Sequence, residues 1–295
     1  MKPTNRYAFD PRVAIPALVV SLLFAFSALS AAPASPSPSV TDLSATYPRE
    51  FAPPMASEAW ASSADLASTG LTERIVQSSG AIENDVATFR ALLGDPNNGG
   101  TPGQQASGRR EINWDGVPAA VTNVPNFPPE FFNVNSTRGL EYDALSPGLE
   151  VSDQRFADIN PTYAAEFAPF SGQKLFSPIG SNLSEATFLV AGSDIKAPVR
   201  GFGVVFSDVD VAGSSGILVF DFLGRKLGRI LAPVRTDARG ASFVGVVFRN
   251  PVIGRVLIIS GNAALGPQEK DISQGGQHDL VVMDDFIYGE PTATE

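Results

Sequence analysis

The sequence has no cysteine and a single histidine, His278, among its 295 residues. The absence of cysteine excludes disulfides, thiolate catalysis, cysteine-ligated zinc and a lipoprotein-type lipid attachment. One histidine leaves little scope for acid–base or metal chemistry based on imidazole. Charged residues are also scarce, at 18%, whereas the 27 glycines and 24 prolines are typical of short strands joined by many turns. The composition therefore favours a β-rich fold.

Motifs of several enzyme classes are absent as well. The sequence contains no Gly-x-Ser-x-Gly turn, no phosphate-binding loop ending in Lys-Ser or Lys-Thr, and no His-Glu-x-x-His helix. A glycoside hydrolase stays open as an alternative, because it needs only two carboxylates that face one cleft and the chain has 31 acidic residues. A non-catalytic role is the leading expectation.

Residues 1–31 are predicted to be a signal peptide. Three basic residues precede an apolar stretch from Val13 to Leu29, and small residues follow it. An uncleaved membrane anchor is the alternative, since this stretch is close to the shortest that spans a bilayer. Cleavage after Ala31 removes three of the 21 basic and one of the 31 acidic residues, leaving 18 and 30 and a net charge of −12. We expect a secreted or periplasmic protein with no stable membrane anchor after cleavage, and its charge disfavours nucleic acid as a partner.

The next two segments are predicted to contain little β-structure. Residues 32–65 are rich in alanine, serine and proline, and we expect them to be disordered. Residues 66–138 are predicted to be a helix plus a long loop, packed on a β-sandwich that the following residues form. Apolar residues at helical spacing, which begin with Leu71 and Ile75, predict a helix that is most secure from about Ala81 to Leu93.

Residues 139–291 are predicted to form a β-sandwich domain, followed by a tail at 292–295. Seven short apolar runs bounded by turn residues predict strands: Glu185–Ala191, Val199–Asp208, Gly216–Phe222, Leu227–Ala232, Ala241–Phe248, Val252–Ser260 and Asp279–Tyr288. No helix-length run separates them, which favours antiparallel pairing. The predicted fold class is mainly β, an antiparallel two-sheet jelly-roll-like sandwich with a short N-terminal helix and a long covering loop.

Two adjacent acids, Asp284 and Asp285, lie inside the last apolar run. Successive strand side chains point to opposite faces, so both cannot face water if the strand packs on a core without a bulge. A buried carboxylate needs hydrogen bonds, a cation or a metal. The pair therefore indicates either a structural ion site or a local break in the strand.

A second pair of acids, Asp208 and Asp210, partly imitates the opening of a calcium loop. Ala212 and Val219 at its fifth and twelfth positions exclude an EF-hand. Calcium sites in β-sandwiches draw oxygen ligands from distant segments, and the candidates here are Asp208, Asp210, Asn262, Asp279, Asp284 and Asp285. In the alternative, Asp208 and Asp210 cap a turn, and Asp284 or Asp285 pairs with an arginine, for which the candidates are Arg200, Arg249 and Arg255.

Trp114 is the candidate ligand-binding residue. It lies in the segment Arg109–Gly116 beside a basic pair and an Asp-Gly turn, and an indole face can stack on a sugar. The alternative is that Trp114 anchors the long loop to the sandwich. Packing in the core is the expectation for the aromatic residues that follow it, which are Phe127, Phe131, Phe132, Tyr142, Tyr163, Phe167 and Phe170.

Three blocks of the sequence, GRREINWDG at 108–116, SGNAALG at 260–266 and VVMDDFIYGEP at 281–291, resemble a family of uncharacterised exported bacterial proteins. Some of these are similar to exosortase-sorted (PEP-CTERM-type) extracellular proteins. The resemblance covers about residues 85–291 and implies a bacterial source and an extracellular β-sandwich, but no activity and no catalytic residue. The sequence lacks a C-terminal apolar sorting segment, so we expect release into the periplasm or medium.

Taken together, these features predict an exported non-catalytic binding module for a carbohydrate or cell-surface glycan, with a structural calcium ion as its cofactor. Two alternatives remain open at this point. One is a structural or extracellular-matrix protein with no small ligand, and the other is a glycan-acting hydrolase that uses paired carboxylates.

Overall fold

The computed structural model of the chain describes residues 71–146, 148–237 and 239–293. The predicted signal peptide at 1–31 and the predicted disordered segment at 32–65 lie outside these ranges. Within the ranges, no helix is both long enough and apolar enough to cross a membrane.

Seven strands form the larger sheet. They are β1 (Thr72–Ser79), β2 (Arg109–Ile112), β4 (Gly148–Ser152), β5 (Leu175–Ile179), β7 (Gly201–Ser207), β10 (Ala241–Phe248) and β12 (Val282–Gly289). Their order is β1-β10-β7-β12-β5-β4, with β2 paired to β12. The central strands β7 and β12 are buried along their whole length, as expected for continuous apolar runs that are covered on both faces.

Five strands form the smaller sheet. They are β3 (Leu140–Asp143), β6 (Leu183–Phe188), β8 (Gly216–Phe220), β9 (Lys226–Leu231) and β11 (Arg255–Ile259). Their order is β3-β6-β11-β8-β9, and all pairs in both sheets are antiparallel. From β10 onward the chain alternates between the two sheets. The predicted mainly β, two-sheet sandwich is confirmed.

The described helices are short: α1 (Glu83–Leu93), α2 (Phe131–Val134) and α3 (Tyr163–Glu166), with two 3₁₀ turns at Ala119–Val121 and Ile272–Gln274. The predicted helix is confirmed as α1, whose apolar face lies on the outer side of the larger sheet. Phe89 fits there because the strands beneath it carry Gly203 and Gly245. A Cβ atom at either glycine would come within 2.7 and 2.5 Å of the Phe89 ring.

The N-terminal segment differs from the expectation at two places. Leu71 and Ile75 do not continue the helix backwards, because residues 72–79 form β1 and pair with β10. The segment also contributes β2, which extends the larger sheet alongside β12. Pairing with a distant strand outweighs the local helical spacing in both cases.

A buried ion pair fastens the long loop to the end of β12. The Arg110 guanidinium is fully buried and donates from Nε and Nη2 to Glu290 at 2.8 and 2.7 Å. Its remaining donors bind the carbonyl oxygens of four loop residues, Gly99, Thr101, Gly103 and Thr137. The loop backbone therefore closes around one side chain, which satisfies its hydrogen bonds without regular structure.

Candidate metal centre

A β-bulge in β12 places both adjacent acids in buried positions. Met283 pairs with Phe206 of β7, and Phe286 pairs with Val204, so Asp284 and Asp285 together face one residue. Their relative exposures are 0% and 3%. The simple alternation of side chains on which the prediction of one inward acid was based does not hold at the bulge.

The partners of this pair are backbone amides, a hydroxyl and an arginine. Asp284 Oδ2 accepts hydrogen bonds from the N–H groups of Phe170 and Ser171 at 2.6 and 2.9 Å. Asp285 accepts one from Ser171 Oγ at 2.5 Å and lies 3.4 Å from Arg90 Nη2. Burial, followed by the charge of Asp285, raises the pKa of Asp284 to about 9.

The arginine partner of the pair is therefore not one of the three expected candidates. Two of those, Arg200 and Arg255, form ion pairs with Glu73 and Glu185. Asp284 and Asp285 also belong to neither group of converging acids described next. The structure thus gives no support to the prediction that they are calcium ligands.

Five other carboxylates converge at the end of the sandwich where β7 ends and β12 begins. Glu166 ends α3, Asp208 and Asp210 follow β7, Asp271 precedes the second 3₁₀ turn, and Asp279 precedes β12. They form two sets, Glu166 with Asp208 and Asp271, and Asp210 with Asp271 and Asp279. Within each set, one carboxylate oxygen per residue lies within 4.8 Å of the others. These five residues are called the acidic cluster below.

Two members of the acidic cluster are held in place by hydrogen-bond donors. Asp271 accepts from the N–H groups of Ser273 and Leu280, each at 2.7 Å. Asp279 accepts from the N–H groups of Asp210 and Val211, each at 3.1 Å, and from the hydroxyl of Ser214. These contacts orient both carboxylates.

Asp208 differs because it is completely buried and has no donor. Its relative exposure is 0%, and neither of its carboxyl oxygens has a hydrogen-bond partner among the described residues. Its backbone φ is 74°, a left-handed conformation that aspartate tolerates better than most residues. The Asp210 Oδ1 atom is likewise buried and without a donor.

None of the ten ion pairs found within the described ranges involves the acidic cluster. Burial, together with the neighbouring acids Glu166, Asp271 and Asp210, raises the pKa of Asp208 to about 10. Burial, followed by the charges of Asp271 and Asp279, raises the pKa of Asp210 to about 6. The fold therefore brings like charges together at a cost of several kcal/mol unless a proton or a cation is bound.

The geometry and chemistry of the acidic cluster fit Ca²⁺. Two oxygens bound to one Ca²⁺ at its usual distances can be no more than about 5.2 Å apart, and the separations within each set are at most 4.8 Å. All the side-chain ligands of the two sets are carboxylates, which suit calcium better than zinc or copper. A proton on Asp208 can form one hydrogen bond, to Glu166, whereas a divalent cation neutralises the charge of several carboxylates at once.

Three of the six predicted oxygen ligands come together, namely Asp208, Asp210 and Asp279. Asn262 has a supporting role, because its Oδ1 accepts a hydrogen bond from the N–H of Asp279 at 2.9 Å. Glu166 and Asp271 were not among the ligands predicted from the sequence. No local pattern distinguishes either residue among 31 acids, and both reach the cluster only through the long connections between strands.

Trp114 is buried in the core. It is 1% exposed, its ring stacks on Phe176 with centroids 3.8 Å apart, and its Nε1–H donates to the carbonyl oxygen of Asp284 at 3.1 Å. Phe127 and Phe132 of the long loop pack edge-on against it. This contradicts the prediction of an exposed stacking face and agrees with the alternative, an anchor for the loop.

A surface groove of about 470 Å³ lies beside this anchor. Its lining combines the partly exposed ring of Phe131 with polar side chains from the long loop, Asn113, Asn135, Ser136 and Arg138. None of its lining residues is a carboxylic acid. The groove therefore presents hydrogen-bond donors and acceptors beside an apolar surface.

Comparison of the chain with protein-family models, with curated proteins and with solved structures found no match. No residue role is therefore carried over from another protein. The functional proposal depends on the burial, distances and charges of this chain's own residues.

Proposed function

We propose that this chain is an exported, non-catalytic β-sandwich module in which the acidic cluster binds a structural Ca²⁺ and the groove beside Trp114 binds a carbohydrate. The observation that carries the cation is Asp208, a fully buried carboxylate whose two oxygens lack any described hydrogen-bond donor. A buried charge of this kind is stable only with a counter-charge or a proton.

A cation at this place has a structural role because its ligands come from three separate connections between strands. Glu166 lies between β4 and β5, Asp208 and Asp210 lie between β7 and β8, and Asp271 and Asp279 lie between β11 and β12. A bound ion joins these three connections at one point. It therefore opposes the entropy that each connection would gain by opening.

The carbohydrate ligand is supported by the groove, whose amide, hydroxyl and guanidinium groups can bind sugar hydroxyls. The absence of a carboxylic acid from its lining favours binding over hydrolysis there, since a glycoside hydrolase needs two carboxylates facing the substrate. A purely structural protein would leave the groove without a ligand.

Thermal unfolding with and without a chelator tests the cation. Ca²⁺ at a hundred times its Kd should add about 2.7 kcal/mol, which raises the Tm of a domain of this size by about 5 to 11 °C. The Asp208→Asn variant should lose part of this increment. A control variant at an exposed acid outside the cluster, Asp194→Asn, should keep it. An unchanged Tm for the wild-type protein would contradict the proposal.

A glycan array tests the carbohydrate ligand separately. We expect the calcium-loaded protein to retain one class of glycan, and we expect Arg138→Ala to weaken that binding without removing the calcium increment in Tm. If no sugar is retained at millimolar concentration, the carbohydrate part of the proposal fails and the structural-protein alternative replaces it.

A further inference from the structure

We propose that the acidic cluster binds two divalent cations, with Asp271 as the carboxylate that bridges them. This inference rests on the proposed function, because it assigns a number and a ligand set to the same cation site. The observation behind it is that the two sets of converging oxygens share Asp271 and no other residue.

The first position is formed by Glu166, Asp208 and Asp271. Asp208 indicates a ligand here independently of the clustering of acids, because its side chain is wholly buried and neither oxygen has a described donor. Glu166 already accepts a hydrogen bond from the hydroxyl of Ser273 through Oε1. That contact orients the carboxylate and leaves acceptor capacity for a cation.

The second position is formed by Asp210, Asp271 and Asp279. Asp210 contributes an oxygen, Oδ1, that is buried and without a described donor. Asp279 is held rigid by its two backbone N–H donors and the Ser214 hydroxyl. Each position thus combines at least one buried carboxylate oxygen that lacks a described donor with a carboxylate oriented by hydrogen bonds.

Asp271 is suited to bridge the two positions because its orientation is fixed from both sides. The Ser273 N–H binds Oδ1 and the Leu280 N–H binds Oδ2, each at 2.7 Å. An ionised carboxylate has about four lone-pair sites, so both oxygens keep acceptor capacity after these two bonds. One oxygen can then face each cation.

The charge of the cluster also favours two ions over one. The five carboxylates carry five negative charges when ionised, of which one divalent cation neutralises two and a pair neutralises four. The described ion pairs supply no Lys, Arg or His partner to these residues. A single ion therefore leaves three negative charges unbalanced, and a second ion reduces this excess to one.

The test is the number of Ca²⁺ ions bound per chain, measured by equilibrium dialysis with elemental analysis and by calorimetric titration. We expect two ions for the wild-type protein and for the exposed control Asp194→Asn. Asp208→Asn and Asp210→Asn should each bind one ion, and Asp271→Asn should bind none tightly. Circular dichroism checks that each variant is folded.

The outcomes separate this inference from the proposed function. One ion in the wild-type protein, lost in both Asp208→Asn and Asp210→Asn, would overturn the two-ion site and leave a single structural cation. No bound ion would overturn both. Two ions that persist in all three cluster variants would place the ions elsewhere.

A second measurement needs no variant and decides the case if the substituted proteins do not fold. Wild-type protein loaded with a mixture of Tb³⁺ and Eu³⁺ should show energy transfer between the two lanthanides, because ions that share one carboxylate lie close together. Bound lanthanides without this transfer would contradict a bridged pair.

Discussion

We expect the substitution Asp208→Asn to stabilise the protein in the absence of divalent cations while reducing its response to calcium. The amide has nearly the shape of the carboxyl group but no charge. Its NH₂ group can donate to the oxygens of Glu166 and Asp271, which lie within 4.8 Å of Asp208. The variant therefore avoids the cost of protonating a buried carboxylate on folding and keeps a hydrogen-bonding group at the same position.

The size of the effect follows from proton linkage. The folded-state pKa of Asp208 is raised to about 10, whereas the unfolded value is about 3.9. Because the folded-state pKa is higher than the unfolded one, Asp208 does not lower the free energy of unfolding below about pH 4. The free energy of unfolding then decreases as the pH rises from 4 towards 10. At pH 7 the penalty is set by the unfolded pKa and amounts to about 4 kcal/mol.

The assay is thermal or urea unfolding in chelator at pH 5, 6 and 7. The advantage of Asp208→Asn over the wild-type protein should grow by about 1.4 kcal/mol per pH unit. At pH 7 the full advantage of about 4 kcal/mol corresponds to a Tm that is about 8 to 16 °C higher in the variant. Addition of calcium should then raise the Tm of the wild-type protein more than that of the variant.

Two results would refute this reasoning. A variant that is less stable than the wild-type protein in chelator at pH 7 would mean that the buried carboxylate is not a source of repulsion. A calcium response as large in the variant as in the wild-type protein would mean that Asp208 is not a ligand of the cation. Asp194→Asn, an exposed acid, should change neither quantity.

Three further predictions concern residues outside the acidic cluster. Arg110→Ala should cost about 3 to 5 kcal/mol in urea unfolding, because it leaves Glu290 buried without its cation; a loss below 1 kcal/mol would contradict a role in fastening the loop. Trp114→Ala should lower the free energy of unfolding by about 3 to 5 kcal/mol through the cavity that it creates. Unchanged stability together with lost glycan binding would instead support the hypothesis of an exposed stacking surface. The pKa of Asp284 is raised to about 9 by burial and by Asp285, so the wild-type protein should lose about 1.4 kcal/mol of stability per pH unit between pH 5 and 8 through this group. Asp284→Asn should not show this loss, and parallel stability–pH profiles of the variant and the wild-type protein would disprove the prediction.

Much of the fold could be predicted because it is encoded in local patterns. The run Ala241–Phe248 was predicted with the bounds that β10 has in the structure, and α1 was predicted to within two residues at its start. Each is an apolar segment ended by glycine or polar residues, so its type can be inferred without knowing its neighbours.

The errors occur where pairing with a distant segment decides the conformation. Residues 72–79 form β1 because β10 offers an open edge, although Leu71 and Ile75 continue the spacing of the following helix. The bulge in β12 depends on its register with β7. Neither feature can be inferred from a single segment.

The sequence by itself determined the mainly β class, the first helix and the presence of unusual acids in apolar surroundings, because these depend on composition and on periodicity along the chain. Only the tertiary structure decided which acids meet. It brought Glu166 and Asp271 to Asp208, Asp210 and Asp279, and it enclosed Trp114 in aromatic packing. The physical reason is that a cation site depends on distances between oxygens far apart in sequence, and those distances exist only after the two sheets have packed.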